Sequence, residues 1–202
     1  DEDMHIENVG GTVAMIERAK NLKEEKSQSF SASADMYHRF GVFQTNFLIE
    51  GFYTRLTDVF VLGEPYDRGD GILVKTRSNG PGAKVMGLTL EGKVAYLSIL
   101  QIQAGLTLQR SRYDEPHKWH DDAPAEKKIF RTPDTYGYFT ATYTPVKPLS
   151  IALSGTYTGP MLVQRMDITA ENAKLGEMPE RKAEAIRTPR FFDLGVKLAY
   201  DF

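Results

Sequence analysis

Side chains able to do chemistry gather in one stretch, residues 111–135. His117 and His120 stand three residues apart, with Asp114, Glu115, Asp121 and Asp122 around them. Imidazoles and carboxylates together could bind a metal. No third ligand stands at a motif spacing, however, and an exposed polar loop is the plainer account of the same residues. The single tryptophan, Trp119, lies between the two histidines. Its ring suits either capping a ligand or touching a headgroup, and the sequence leaves both open. Arg68-Gly69-Asp70 reads as a turn. The methionines are scattered, which gives no copper site. No nucleophile stands with a base and an orienting partner, so no catalytic residue is assigned and an enzyme is not expected.

The elements that must carry these residues follow a period of two. Along 191–202, Phe192, Leu194, Val196, Leu198, Tyr200 and Phe202 share one face, and Asp193, Gly195, Lys197, Ala199 and Asp201 the other. Successive strand side chains point to opposite faces, so this is a strand with one apolar and one polar side. The same alternation recurs in Phe30–Met36 and in Phe43–Tyr53, which stand close enough to be hairpin partners. It returns in Met86–Val94, Leu100–Leu108, Phe139–Tyr143 and Leu149–Tyr157. That makes about seven strands and an all-β, antiparallel fold.

Composition narrows the class. The 202 residues include 17 Gly, 10 Tyr and 11 Phe, which suits a β protein. A net charge of −2 with no basic face argues against nucleic acid as a partner. There is no cysteine, hence no disulfide and no thiolate chemistry. The mean hydropathy of −0.38 and the lack of any long apolar run exclude a transmembrane helix, but not a β-barrel, whose strands are individually half polar. No signal peptide is visible, and Asp1-Glu2-Asp3 reads as a mature start or a cut end.

The connections are asymmetric. Short turns near Gly41, Ala95 and Pro145–Pro148 alternate with long loops near 57–84, 111–135 and 164–189, and 1–26 is a further loop. All short turns then fall at one end of the sheet and all long loops at the other, as in outer-membrane barrels. The polar face carries small and amide residues such as Ser29, Ser31, Ser33, Gln101 and Gln103. Glu50, Glu91, Lys93, Asp193 and Lys197 also project there. Aromatics sit near strand ends, among them Phe30, Tyr53, Tyr143, Tyr157, Tyr200 and Phe202, as an interfacial girdle requires. The competing readings are a soluble carbohydrate-binding β-sandwich with the apolar face inward, and a structural or adhesive barrel. Seven strands cannot close a single-chain barrel with both termini on one side, so a piece of a larger barrel, or one closed by association, is expected.

Asn21-Leu22-Lys23-Glu24-Glu25-Lys26-Ser27, entering the strand at Phe30–Tyr37, resembles the Asn-Leu-Lys-Pro-Glu-Lys-Ser segment of TonB-dependent outer-membrane receptors, with Glu24 where that family usually has proline. Asp1–Ile6 with Gly10-Gly11 is similar to a loop in receptors of the Bacteroidetes type. Ile49–Asp58, Tyr157–Met161 and the final aromatic strand fit the same picture, so the resemblance spans nearly the whole chain. It implies the C-terminal part of a 22-stranded transmembrane barrel in the outer membrane of a Gram-negative bacterium. Such a receptor surrounds an N-terminal plug and imports a scarce nutrient, of the iron-siderophore, haem or cobalamin class, by plug remodelling driven by TonB. No resident cofactor is implied; haem or a ferric complex would be cargo. Implied partners are the upstream strands and plug, the TonB complex, membrane lipid and a surface lipoprotein. The barrel-assembly machinery would read Tyr200 and Phe202 as the assembly signal. His5 lies upstream of Asn21-Leu22, where haem receptors of the family carry a histidine, and imidazole suits an axial iron ligand. A solvated loop histidine is again the plainer account. His5, His117, Trp119 and His120 are therefore the candidate ligand-binding residues.

Overall fold

A computed structural model describes residues 5–9, 12–63, 66–69, 72–120, 123–169 and 180–201, with side chains except at 5–9, 12–14, 166–169 and 180–182. The described strands are β1 (His5–Val9), β2 (Thr12–Arg18), β3 (Lys26–Phe40), β4 (Phe43–Thr57), β5 (Phe60–Leu62), β6 (Tyr66–Asp67), β7 (Leu73–Asn79) and β8 (Ala83–Tyr96). They continue with β9 (Leu100–His117), β10 (Glu126–Lys128), β11 (Thr135–Val146), β12 (Leu149–Thr158), β13 (Leu162–Thr169), β14 (Glu180–Arg187) and β15 (Phe191–Tyr200).

Seven long strands form one antiparallel wall in the order β3-β4-β8-β9-β11-β12-β15. They are the seven that alternation predicts. Their register puts every apolar set on the same face. One row runs Ala34, Ile49, Leu90, Leu106, Gly137, Tyr157, Phe192, each opposite the next across its ladder. A slip of one residue anywhere would turn a strand's apolar side to the polar face, so the pattern fixes the pairing.

Among the described residues, no second layer packs on the apolar face. Phe30 is 70 % exposed, Val196 76 % and Leu198 69 %. The buried apolar residues among those described are Ile16, Val74, Ala83, Ala123 and Ala183, all at or beyond one end of the wall. A sandwich would lay a second sheet over this face; the wall here is a single layer. Its edges, β3 and β15, each pair on one side only. In lipid such edges would leave backbone groups unsatisfied at several kcal/mol each, so the sheet is a portion of a closed barrel.

Aromatics mark the limits of the apolar face. Phe43 and Tyr96 meet at 5.0 Å between ring centroids near the short-turn end, with Tyr143 and Tyr200 on neighbouring strands. Phe30 and Tyr53 sit opposite one another near the other end. Phe43 and Tyr53 are ten residues apart on β4, about 33 Å along a strand rising ~3.3 Å per residue. Tilted about 40°, that span rises about 25 Å, the height of a barrel's lipid-facing band.

The short turns lie at 41–42, 97–99 and 147–148. Gly41 has φ +60° in the first of them, a conformation glycine adopts without strain. Pro145 remains inside β11, in the interval where the pairing register with β12 shifts; a bulge accommodates a residue with no N–H to give. The turn itself is Lys147-Pro148.

The long connections are not plain loops. β1 and β2 form a hairpin within 1–26, β2 pairs in parallel with β7, and β5 and β6 flank β7. Val74 is fully buried and Ile16 nearly so in this small sheet. β9 runs seven residues past Arg110 and receives β10. β13 and β14 form a separate hairpin from Leu162↔Arg187 to Thr169↔Glu180.

Candidate functional site

The long-connection end carries the polar chemistry, and one side chain fastens much of it. Asn79, the last residue of β7, accepts from the Lys23 backbone N–H at 2.7 Å and donates to the carbonyls of Lys23 at 2.9 Å and Asp58 at 2.7 Å. Asp58 takes φ +53° to present that carbonyl at the corner after β4. Glu25 accepts from the Phe60 N–H at 3.0 Å, fixing β5 to the same segment. The Asn21–Ser27 stretch is thus a structural clasp between the wall and the small sheet. Arg68 adds an ion pair to Glu17 at 3.2 Å, tying the turn at 67–69 to β2. Within that turn the Asp67 carboxylate accepts from Gly69 N–H at 2.7 Å.

On the polar face, neighbouring strands satisfy one another through short side chains. Ser29 bonds Thr54 at 2.9 Å, Thr89 bonds Thr107 at 3.0 Å, and Gln103 donates to the Tyr138 hydroxyl at 2.8 Å. Asn46 donates to Asp35. Near the long-connection end this face holds a cavity of about 520 Å³, bordered by Gln109, Arg131, Tyr136, Tyr138, Thr156 and Thr158. Its amide, hydroxyl and guanidinium groups can donate to an anionic or carbonyl-rich ligand. Sequence reading passes over Arg131, Tyr136 and Tyr138; two tyrosines on the nominally polar face, one strand in from a loop arginine, are the signal available.

His117, Trp119 and His120 are packed within their own connection. The His117 ring lies 5.4 Å from Tyr113, opposite β10 through its Glu126 pairing. Burial lowers the His117 pKa below the usual histidine value, so it is neutral at pH 7. Burial likewise raises Tyr113. Trp119 stands 5.8 Å from His120 and 6.4 Å edge-on from Phe130. Its indole Nε1–H, Ser111 Oγ and Asp134 Oδ1 are buried without a hydrogen-bond partner among the described residues. No group of three metal-ligating side chains forms among the described residues. The neighbouring Asp121 and Asp122 lie outside them, as do Phe202 and the side chain of His5, whose backbone belongs to β1 opposite Ile16. Tyr200 pairs with Leu149 at the short-turn end of the outward face.

A single-layer antiparallel wall, apolar outside, polar inside and crowned at one end, defines a segment of a transmembrane β-barrel. The sequence pattern of the family described as TonB dependent receptor-like, beta-barrel, matches residues 6–202. The chain belongs to that family, one of outer-membrane β-barrels. No curated protein matches it by sequence. Among solved structures it is similar to the FrpB iron transporter from Neisseria meningitidis (F5-1 variant), at 18 % identity and TM-score 0.58, covering 93 % of this chain and 26 % of that one. The ferric-catecholate import receptor Fiu from K12 E. coli matches at 15 % identity and TM-score 0.55, over 96 % of this chain and 23 % of that one. The siderophore receptor PirA from Pseudomonas aeruginosa matches at 15 % identity and TM-score 0.52, over 95 % and 33 %. At such identities the likeness is one of fold, and the chain spans between about a quarter and a third of each of these proteins.

Proposed function

We propose that this chain is the C-terminal barrel portion of a TonB-dependent transporter in the outer membrane of a Gram-negative bacterium, and that the whole protein takes up a scarce nutrient. The observation that carries the reading is the wall: seven strands in register with one exposed apolar face and one hydrogen-bonded polar face. The polar face lines the lumen against the plug. The crown, including 1–26, 57–84, 111–135 and 164–189, forms the extracellular mouth. His5, His117, Trp119 and His120 belong to that mouth, and the cavity at Tyr136 and Tyr138 lies on the path below it.

The solved structures that share this fold include an iron transporter, a siderophore receptor and a copper transporter, which supports uptake of a scarce nutrient. For the cargo we carry forward the ferric-siderophore, haem or cobalamin class that the sequence resemblance implies. Uptake proceeds by capture in the mouth and remodelling of the plug by TonB. Further partners are the barrel-assembly machinery, met through Tyr200 and Phe202, and a surface lipoprotein above the crown. The test is accumulation of a labelled ferric siderophore, haem or cobalamin by cells with and without the receptor. Uptake of one of them should vanish on deletion and on collapse of the proton gradient. Membrane location with no energised uptake of any would favour a structural or adhesive barrel instead.

A further inference from the structure

The clasp of the crown contains a reactive pair. Asn79 is followed by Gly80, the one Asn-Gly pair in the sequence. The other asparagines precede valine, leucine, phenylalanine or alanine. Asparagine is a thermolabile residue, and a glycine after it leaves its own backbone nitrogen unshielded by any side chain.

The fold demands each half of the pair. The residue at 79 accepts from the Lys23 N–H and also donates to the carbonyls of Lys23 and Asp58, which a carboxylate cannot do. The residue at 80 must lack a side chain, because a Cβ there would come within 2.5 Å of Val61 on β5. The packing that closes the crown thus brings the two residue types together.

The same contacts restrain their reaction. Ring closure requires the Gly80 backbone nitrogen, stripped of its proton, to attack Asn79 Cγ. In the folded crown that N–H donates to the Val59 carbonyl at 2.7 Å. The Asn79 amide is held by its three hydrogen bonds, and both residues are half-buried.

We propose that Asn79-Gly80 is a deamidation site which the clasp keeps latent, and that its reaction unfastens the crown in one direction only. The Gly80 nitrogen bonds to Cγ, the Cγ–Nδ2 bond breaks, and Nδ2 leaves as ammonia with the proton that the Gly80 nitrogen gave up. Water then adds to either carbonyl of the succinimide and breaks its C–N bond, leaving aspartate or isoaspartate. Nothing is oxidised or reduced. Either product puts a carboxylate where the amide stood, with no hydrogen to give to the Lys23 and Asp58 carbonyls. Isoaspartate also adds a methylene to the main chain at the end of β7.

The test is peptide mapping by mass spectrometry of the complete receptor, kept at mildly alkaline pH either folded in detergent or unfolded in urea. The readout is exchange of NH for O at Asn79, with Asn21, which precedes Leu22, as the internal control. The folded receptor should react about tenfold or more slowly, the factor set when about one molecule in ten or fewer has the clasp open. Glu25→Ala releases the Phe60 N–H without touching the reacting atoms, and should raise the folded rate toward the unfolded one. Asn79→Asp imitates one product, and its hydrogen exchange should rise at 19–25 and 58–62 while the wall stays protected. Heat-modifiable electrophoretic migration checks that each variant is folded. The same exchange pattern is read in the unmodified receptor after partial reaction, so the release is tested even where that variant does not fold. Equal rates in the folded and unfolded receptor, or a folded rate that Glu25→Ala leaves unchanged, overturn the restraint. A deamidated crown that exchanges like the unreacted one overturns the release.

Discussion

At the scale of the residue, Asn79 makes three backbone-directed contacts with a single amide. Asn79→Ala should release the 19–25 segment and the corner at Asp58 while leaving the wall paired. Faster hydrogen exchange confined to 19–25 and 58–62 would check this. Glycines on the wall divide by what lies above them. At Gly155 a Cβ would collide with Phe139 and Phe192, whose rings stack at 6.0 Å. Gly155→Val should therefore cost about 1–3 kcal/mol through overpacking. At Gly92 nothing lies within 4 Å, and Gly92→Ala should be neutral or stabilising by up to about 1 kcal/mol. Denaturant midpoints of the two variants separate them. His117 carries a pH dependence whose sign is fixed by its burial. Its folded pKa lies below the ordinary ~6.5, so the undocked connection takes up the proton first as pH falls. Docking is undiminished above about pH 6.5 and weakens below it. The difference in emission between the protein and its Trp119→Phe variant should shift red between pH 7.5 and 5.5, and His117→Phe should abolish the shift.

At the scale of the element, the seven wall strands were legible because each is embedded with one face apolar, and a period of two is the direct trace of that. The crown was not. β14, Glu180–Arg187, is charged along its length, and β5 and β6 are three and two residues long, so none carries an alternation. The parallel pairing of β2 with β7 joins residues about sixty apart, which no local pattern announces. Turn positions slipped for a related reason: Pro145 reads as turn chemistry but sits at a bulge within β11. Of the candidate site, the histidines and tryptophan were visible as residue types. Their packing into their own connection, and the cavity at Tyr136 and Tyr138, depend on neighbours brought from other strands. The wall also predicts an asymmetry between its faces. Val196 lies midway between Phe192 and Tyr200 on the outward side of β15. Val196→Arg should cost about 2–4 kcal/mol in the bilayer and deplete the receptor from the membrane. Ser154→Arg, on the polar face, should assemble at near normal level, as immunoblots of membrane fractions would register.

At the scale of the whole molecule, a receptor barrel requires the apolar face of this wall to meet lipid and its polar face to meet the plug-filled lumen. The chain has no cysteine of its own, so single cysteines can be set along β15 in the complete receptor made otherwise cysteine-free, and spin-labelled in lipid vesicles. Accessibility to oxygen, which partitions into lipid, should be high at 194, 196 and 198 and low at 193, 195 and 197. Accessibility to a water-soluble nickel chelate should be low at the first three. A flat profile, or oxygen access that peaks at 193, 195 and 197, would contradict the barrel wall and with it the transport reading built upon it.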